Sequence, residues 1–413
     1  MPLAALLPQF SSTWLAVWFW ATLVICLVWL RRHIDLLLAG RDRDLAFESE
    51  RLTDAASAPL PRLSMLVAGK DEEANIGRCV EGLLRQDYPN LQVIAIDDRS
   101  GDRTGEIIDR IALHDARFTA LHVSELTPGW FGKNNAMRLG VEHADGELLC
   151  FTDADCTFDS PRLLTAAVRL MLRDNVDFLS VLPLLEAGSF WERVVQPVAG
   201  GIMVVWFPPQ RVNNPRSACA YANGAFMLMS RRTYDALGGH EPVKATLNED
   251  MHLARLTKRA GLRLRVIRSG GMYRVRMYTG FRQIWRGWSR IFFGCFGTFP
   301  KLLGSVLMLT IFSLSPWLSL FIAGGAWLAG SAHLGPIAAM AAAAVTAQQS
   351  VLWRFYTLSG VGSAWALSYP VGAVVCLGMT LSAITRLGGS STNWRGTTYE
   401  GGAHRERGSV VGS

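Results

Sequence analysis

The sequence predicts an α/β domain with a mostly parallel sheet, flanked by N-terminal and C-terminal transmembrane helices. Three observations carry this reading. From about Leu60 to Tyr278, apolar runs of strand length alternate with helical patterns, as in a parallel sheet covered on both faces. Three of these runs stop at carboxylates, at the edge where such sheets bind their ligands. On either side of that stretch lies a block apolar enough for a bilayer.

The first block, Thr13 to Leu30, carries no charge and stops at Arg31-Arg32-His33, close to the length of one membrane-spanning helix. A cleaved signal peptide would need a positive leader and a small-residue cleavage site. With neither in the pattern, residues 1–30 read as an anchor. Arg31, Arg32, Arg41 and Arg43 follow it, and the positive-inside bias places what comes next in the cytoplasm. Residues 31–61 read as a juxtamembrane linker that ends in the turn-rich stretch Asp54 to Pro61.

Within residues 62–278, strands are expected at Ser64 to Gly69, Leu91 to Ile96, Phe118 to Val123, Glu147 to Thr152 and Phe178 to Leu182. The first runs into Lys70-Asp71-Glu72-Glu73, the second into Asp97-Asp98-Arg99-Ser100-Gly101-Asp102, and the fourth into Asp153-Ala154-Asp155. Any one of these could be a solvated turn, because Asp favours turns and helix starts. Three at one sheet edge point to a site. Asp153 and Asp155 flank a single residue, so an extended chain projects both to the same face. Two carboxylates so placed can hold a hard divalent ion that keeps positions open for phosphate oxygens.

Lys133 follows the turn Pro128-Gly129-Trp130-Phe131-Gly132 and opens a helical stretch, where its ammonium and the first amides suit an anion. A surface lysine in a loop is the bland alternative. Asn248-Glu249-Asp250 opens another helix, ended by Gly261. Acidic residues there complement the helix dipole; an ionised one facing a cleft can also take a proton from an acceptor hydroxyl. The residues alone leave both readings open, and His252 reads as packing or solvated.

Trp206 to Pro215 is an apolar, proline-stiffened loop, either a connector or a place for an apolar acceptor. On a helical wheel of Phe281 to Gly294, Phe281, Ile284, Trp285, Trp288, Ile291 and Phe292 fall on one face and Arg282, Arg286 and Arg290 on the other. That pattern suits a helix lying in the membrane interface, residues 279–300, from which Arg286, Trp288 or Arg290 could close over phosphates. In the C-terminal block, residues 301–385, Leu302 to Leu328 and Ser363 to Ile384 read as spans, and the shorter run Leu334 to Ala347 either as re-entrant or interfacial or as a further crossing. Arg386, Arg395, Arg405 and Arg407 favour a cytoplasmic tail over residues 386–413.

Composition narrows the functions. Half of the 413 residues are hydrophobic and 18% are charged, too apolar for disorder. The net charge of +7 is not gathered into one basic run, which argues against nucleic acid as a partner. Seven scattered cysteines without a CxxC pair support neither a disulfide framework nor a zinc site.

In their order, the motifs from about Leu63 to Gly294 resemble the family 2 glycosyltransferases with the GT-A fold. The likeness is to membrane-bound members acting on lipids, such as ceramide glucosyltransferase and hopanoid-associated and carotenoid-type bacterial enzymes. The resemblance implies a GT-A-like nucleotide-binding domain in which Ala68, Asp71, Glu73, Asp97, Asp98, Lys133 and Asp153 hold the nucleotide. It also implies that Asp153 and Asp155 hold Mn2+ or Mg2+, and that Asp250, with Glu249 in reserve, is the general base. Arg286-Gly287-Trp288-Ser289-Arg290 and Trp394-Arg395-Gly396-Thr397-Thr398-Tyr399 are similar to segments of the carotenoid-type enzymes. The QxxRW signature of processive polysaccharide synthases is broken: Gln283 and Arg286 fit, but Gly287 stands where Trp is required.

The resemblance therefore implies an inverting enzyme that moves one sugar from a nucleotide-sugar, expected to be a UDP-sugar, to a lipid or other apolar acceptor. The place would be the cytoplasmic face of the cell inner membrane. Transfer to a polyprenyl phosphate or into a polysaccharide is the alternative within enzymes. A non-catalytic membrane scaffold would have no chemical need for Asp97, Asp98, Asp153, Asp155, Glu249 and Asp250 together, and a transporter would need a charged pair at the midplane.

Overall fold

A computed structural model describes residues 12–39, 44–51, 59–386, 392–394 and 397–399. The chain divides into two compact units. One comprises Arg43–Glu186, Met203–Met277 and Arg386–Ser413; the other Met1–Asp42, Ala187–Ile202 and Tyr278–Thr385.

The first unit is an α/β domain. Its strands are β1 (Leu63–Gly69), β2 (Leu91–Asp98), β3 (Phe118–Val123), β4 (Leu148–Asp153), β5 (Cys156–Phe158), β6 (Phe178–Leu182), β7 (Leu184–Leu185), β8 (Met227–Ser230), β9 (Leu264–Arg268) and β10 (Tyr273–Val275). Seven form one sheet in the order β3-β2-β1-β4-β8-β6-β9; β5, β10 and β7 form a second, small one. Every pairing in the large sheet is parallel except the two made by β8. β1 is buried along nearly its whole length, which explains its unbroken apolar run. The chain steps outward from β1 to β2 and β3, then returns to lay β4 on the other side of β1. Open α/β sheets bind ligands beyond the carboxyl ends of the strands at such a reversal. Beneath it, Met65, Val67, Val93, Ala95 and Cys150 pack with Cys79, Val80 and Leu83 of the Ile76–Leu84 helix.

One expectation changes here. The stretch read as linker contains a helix, Leu45–Arg51, built into the domain. Leu45 is fully buried in the core, and Glu48 Oε2 lies 2.6 Å from a guanidinium nitrogen of Arg173. The sequence concealed it because one short turn of apolar residues has no periodicity to show. A further antiparallel pair, Thr392–Trp394 with Thr397–Tyr399, covers part of the last sequence motif; Arg395 and Gly396 lie outside the described residues.

The second unit is helical. Its first helix, Thr13–Ala39, runs past the expected stop at Arg31-Arg32-His33, and Asp35 pairs with Arg31 and Arg32 one turn away, at 3.8 and 3.2 Å. Arg41 and Arg43 lie outside the described residues. Thr13–Leu36, Phe299–Leu328 and Ser363–Thr385 are, among the described residues, the helices long and apolar enough to cross a membrane. The apolar run Leu334 to Ala347 falls largely within one continuous helix, Gly335–Leu358, which is not among these three. After Pro336 it carries no breaker and is rich in alanine, the strongest helix former.

Leu309–Leu314 is a π-helical turn. Buried Gln348 donates to the carbonyls of Phe312 and Ser313 at 3.2 and 3.1 Å and accepts from Trp317 Nε1 at 2.6 Å. The helix Phe281–Phe296 buries Ile284, Gly287, Trp288, Ser289 and Phe292, while Arg282 and Arg286 are exposed and Arg290 is half-buried.

Candidate active site

Lys133 is the centre of the site. It stands in the first turn of the Gly132–Glu142 helix, and its Nζ lies 2.6 Å from Asp153 Oδ1 and 2.6 Å from Glu249 Oε1. Three remote stretches are thereby joined: the end of β4, the start of this helix and the start of the Glu249–Arg259 helix. Buried Asn134 holds them in register, donating to the carbonyls of Val243 and Thr246 at 2.8 and 2.9 Å, and Phe131 N donates to Lys244 O at 2.6 Å. Burial alone would lower the Lys133 ammonium, but the charges of Asp153 and Glu249 override it and hold the group well above its ordinary value.

Asp250 faces a different set of partners. Its Oδ2 accepts from Gly224 N at 3.0 Å and its Oδ1 from Met251 N at 2.7 Å. β8 runs opposite to its neighbours, so the loop entering it arrives at the rim where the parallel strands end, and this delivers Gly224. A Cβ there would stand 3.2 Å from Lys133 Nζ and 3.5 Å from Glu249 Oε1. Burial, and then the charge of Glu249, push the Asp250 carboxyl up to about 7, against the pull of Lys133. Glu249 is buried and held by Lys133, whereas Asp250 keeps some exposure. Of the two, Asp250 is the more accessible.

Asp153 and Asp155 end β4 and open the turn before β5. Asp155 Oδ1 is buried with no hydrogen-bond partner. Burial first, then the charges of Asp153 and Glu72, raise its carboxyl to about 7. Hard oxygens, mutual repulsion and an orphaned buried oxygen fit a divalent cation. Among the described residues no group of three or more His, Cys, Asp or Glu side chains is arranged to hold one, so the remaining positions would fall to ligand oxygens.

The other predicted nucleotide residues stand along the same rim, but several carboxylates join loops to one another. Ala68 lies in register between Ile96 of β2 and Asp153 of β4. Asp71, at a left-handed φ of 54°, accepts from Gly101 N at 2.8 Å, and its own N–H donates to Ser100 Oγ at 3.0 Å. Glu73 N donates to Asp102 Oδ2 at 3.0 Å, and its carboxylate takes Arg103 Nε at 3.2 Å. Asp97 accepts from Ser100 N at 3.2 Å and stands 3.5 Å from His122 Nδ1. Asp98 is buried under Arg99. Arg286, Trp288 and Arg290 belong to the helical unit.

Sequence reasoning missed Gly224, Asn134 and His240. Asn223-Gly224 before a strand is a turn signal that could have marked the first. His240 gave none. Its Nδ1 lies 2.8 Å from Tyr234 Oη and its ring meets Phe151 edge-on at 5.0 Å. Burial, and then Lys133, press it down to about 3, so it remains neutral beside the cluster.

Residues 64–238 match the family model described as glycosyl transferase family 2; Glu249 and Asp250 lie beyond the match. A 4,4'-diaponeurosporenoate glycosyltransferase of Staphylococcus aureus (strain USA300) is 26% identical over 255 residues, 60% of this chain and 65% of that relative. The same protein from strain NCTC 8325 / PS 47 matches equally, so the chain spans 65% of the length of these curated relatives. Among solved structures, the chain is similar to a mannosyltransferase from Pyrobaculum calidifontis in complex with GDP-Man and Mn2+. That likeness has a TM-score of 0.48 at 18% identity and covers 89% of this chain and 98% of the other.

Proposed function

We propose, from the match of residues 64–238 to the glycosyl transferase family 2 model, that the chain transfers one sugar from a nucleotide-sugar to an apolar acceptor. The donor in this reading is a UDP-sugar, and the acceptor oxygen is the hydroxyl or carboxyl of a lipid at the cytoplasmic face of the cell inner membrane. The observation that carries the reading is the cluster of Lys133, Asp153, Glu249 and Asp250 at the strand-end rim.

In this mechanism Asp153 and Asp155 would hold Mn2+ or Mg2+, which when bound supplies positive charge to the departing diphosphate. Lys133 adds a fixed ammonium beside them, paired with Asp153. Asp250, oriented by the amides of Gly224 and Met251, takes the acceptor proton. The acceptor oxygen forms its bond to the anomeric carbon as the bond from that carbon to the diphosphate breaks, and one displacement inverts the centre. For a carboxyl acceptor already ionised, Asp250 has no proton to take and serves only to position the oxygen. Arg286, Trp288 and Arg290 are assigned to the donor phosphates on their charge and motif.

An apolar acceptor agrees with the three long apolar helices and with S. aureus relatives named 4,4'-diaponeurosporenoate glycosyltransferases. Its place is assigned to the segment 206–215, where Phe207 stacks on Tyr221 at 5.5 Å. The test incubates detergent-purified protein and Asp250→Asn with Mn2+, a panel of nucleotide-sugars and a membrane-lipid extract. The expected result is nucleoside diphosphate release from one donor and a lipid heavier by one sugar, both lost in the variant while nucleotide binding remains. A ladder of products would replace this reading with polymer synthesis, and absence of metal-dependent nucleotide binding would leave a scaffold.

A further inference from the structure

The second carboxylate of the β2 end is enclosed. Asp98 is 4% exposed, and Arg99 grips it from both sides, Nε on Oδ1 at 2.8 Å and a terminal nitrogen on Oδ2 at 3.1 Å. Gly132 backs onto the same Oδ2 so closely that a Cβ there would collide with it. A carboxylate enclosed in this way has little surface left for a nucleobase.

Arg99 has the opposite character. Its side chain is 21% exposed, and its φ of 56° lies in the left-handed region, which turns the residue back over the strand end. Such a conformation is unfavourable for a non-glycine residue and persists where the surroundings enforce it. Two of the five guanidinium N–H groups are directed to Asp98, so the plane of the group is fixed beforehand. It lies between the loop after β1 and Gly132-Lys133, on the rim where the proposed function puts the nucleotide.

We propose that Arg99 is a nucleobase contact of the donor, its guanidinium donating to a base carbonyl, and that Asp98 is a positioning residue acting through it. This rests on the nucleotide-sugar reading above. A guanidinium reads a carbonyl oxygen, so uracil or guanine is favoured over adenine, whose corresponding edge carries an amino group.

The test measures binding of UDP, GDP and ADP, with Mn2+, to the detergent-solubilised full chain and to Arg99→Gly. Glycine suits this backbone conformation but leaves buried Asp98 unpaired, so the melting temperatures of the variant and of the double variant Arg99→Gly with Asp98→Asn report that each folds. The expected result is at least a tenfold weaker affinity for the preferred nucleotide and little change for ADP. Arg99→Lys should recover only part of it, and Asp98→Asn should raise the donor KM with kcat nearly unchanged. Undiminished binding by Arg99→Gly, or an equal loss for all three nucleotides, would overturn the proposal and leave the nucleotide-sugar reading intact. Failure of the unaltered protein to bind any of the three would overturn both.

Discussion

Replacing Lys133 by methionine keeps a stem of similar length and deletes the one ammonium that Asp153 and Glu249 share. The cost follows from exposure. The Glu249 side chain is 5% exposed and that of Asp153 36%, so the first pair counts as buried and the second is largely screened. Stranding a buried partner costs about 3–5 kcal/mol, and the exposed arm adds about 0–1. For a domain of this size each kcal/mol shifts melting by roughly 2–4 °C, which gives a fall of about 6–24 °C. Thermal melts of the detergent-solubilised chain and of Lys133→Met measure it. A fall below about 2 °C would refute the idea that Lys133 is the electrostatic keystone of the site.

Three other outcomes are expected. With a hydroxyl acceptor and saturating donor, transfer should rise as pH increases through about 7, because Asp250 is protonated below that value and can accept a proton above it; a flat profile would remove it as the base. Gly132→Ala should weaken nucleotide binding and cost about 1–3 kcal/mol, since the new methyl collides with the Asp98 carboxylate; calorimetry on both properties checks it. Leu45→Ala should lower stability by about 2–5 kcal/mol through the cavity it opens in the domain core, and an unchanged melting temperature would show that the Leu45–Arg51 helix is not docked.

β1, β2 and β4 were legible as apolar runs that end on carboxylates, and β3 and β6 as runs of strand length. β8, β9 and the strands of the small sheet were not; β5, β7 and β10 span only two or three residues and offer no period to read. In the site, the helix-start position of Lys133 and the acidic pair at Glu249 and Asp250 were visible, but their meeting was not: it depends on Asn134 tying the 243–246 turn to another helix. Asp71, Glu73 and Asp97 show the converse limit. A carboxylate after a strand gives no sign in sequence that it also accepts amides from the next loop, as these three do.

The reversed direction of β8 has a consequence for how such a protein can diversify. Apart from Arg286, Trp288 and Arg290, what is assigned to the donor comes from the ends of β1, β2 and β4 and the start of one helix, while the segment that ends at Gly224 reaches the rim by a separate route, along the entry to the antiparallel strand. In the proposed mechanism this is the acceptor side. The two halves are thus interchangeable parts, joined at the proposed base by the hydrogen bond from Gly224 N to Asp250. Selection or design could rewrite the entry loop to accommodate a new acceptor and leave donor use unaltered, provided that this glycine amide stays where it is.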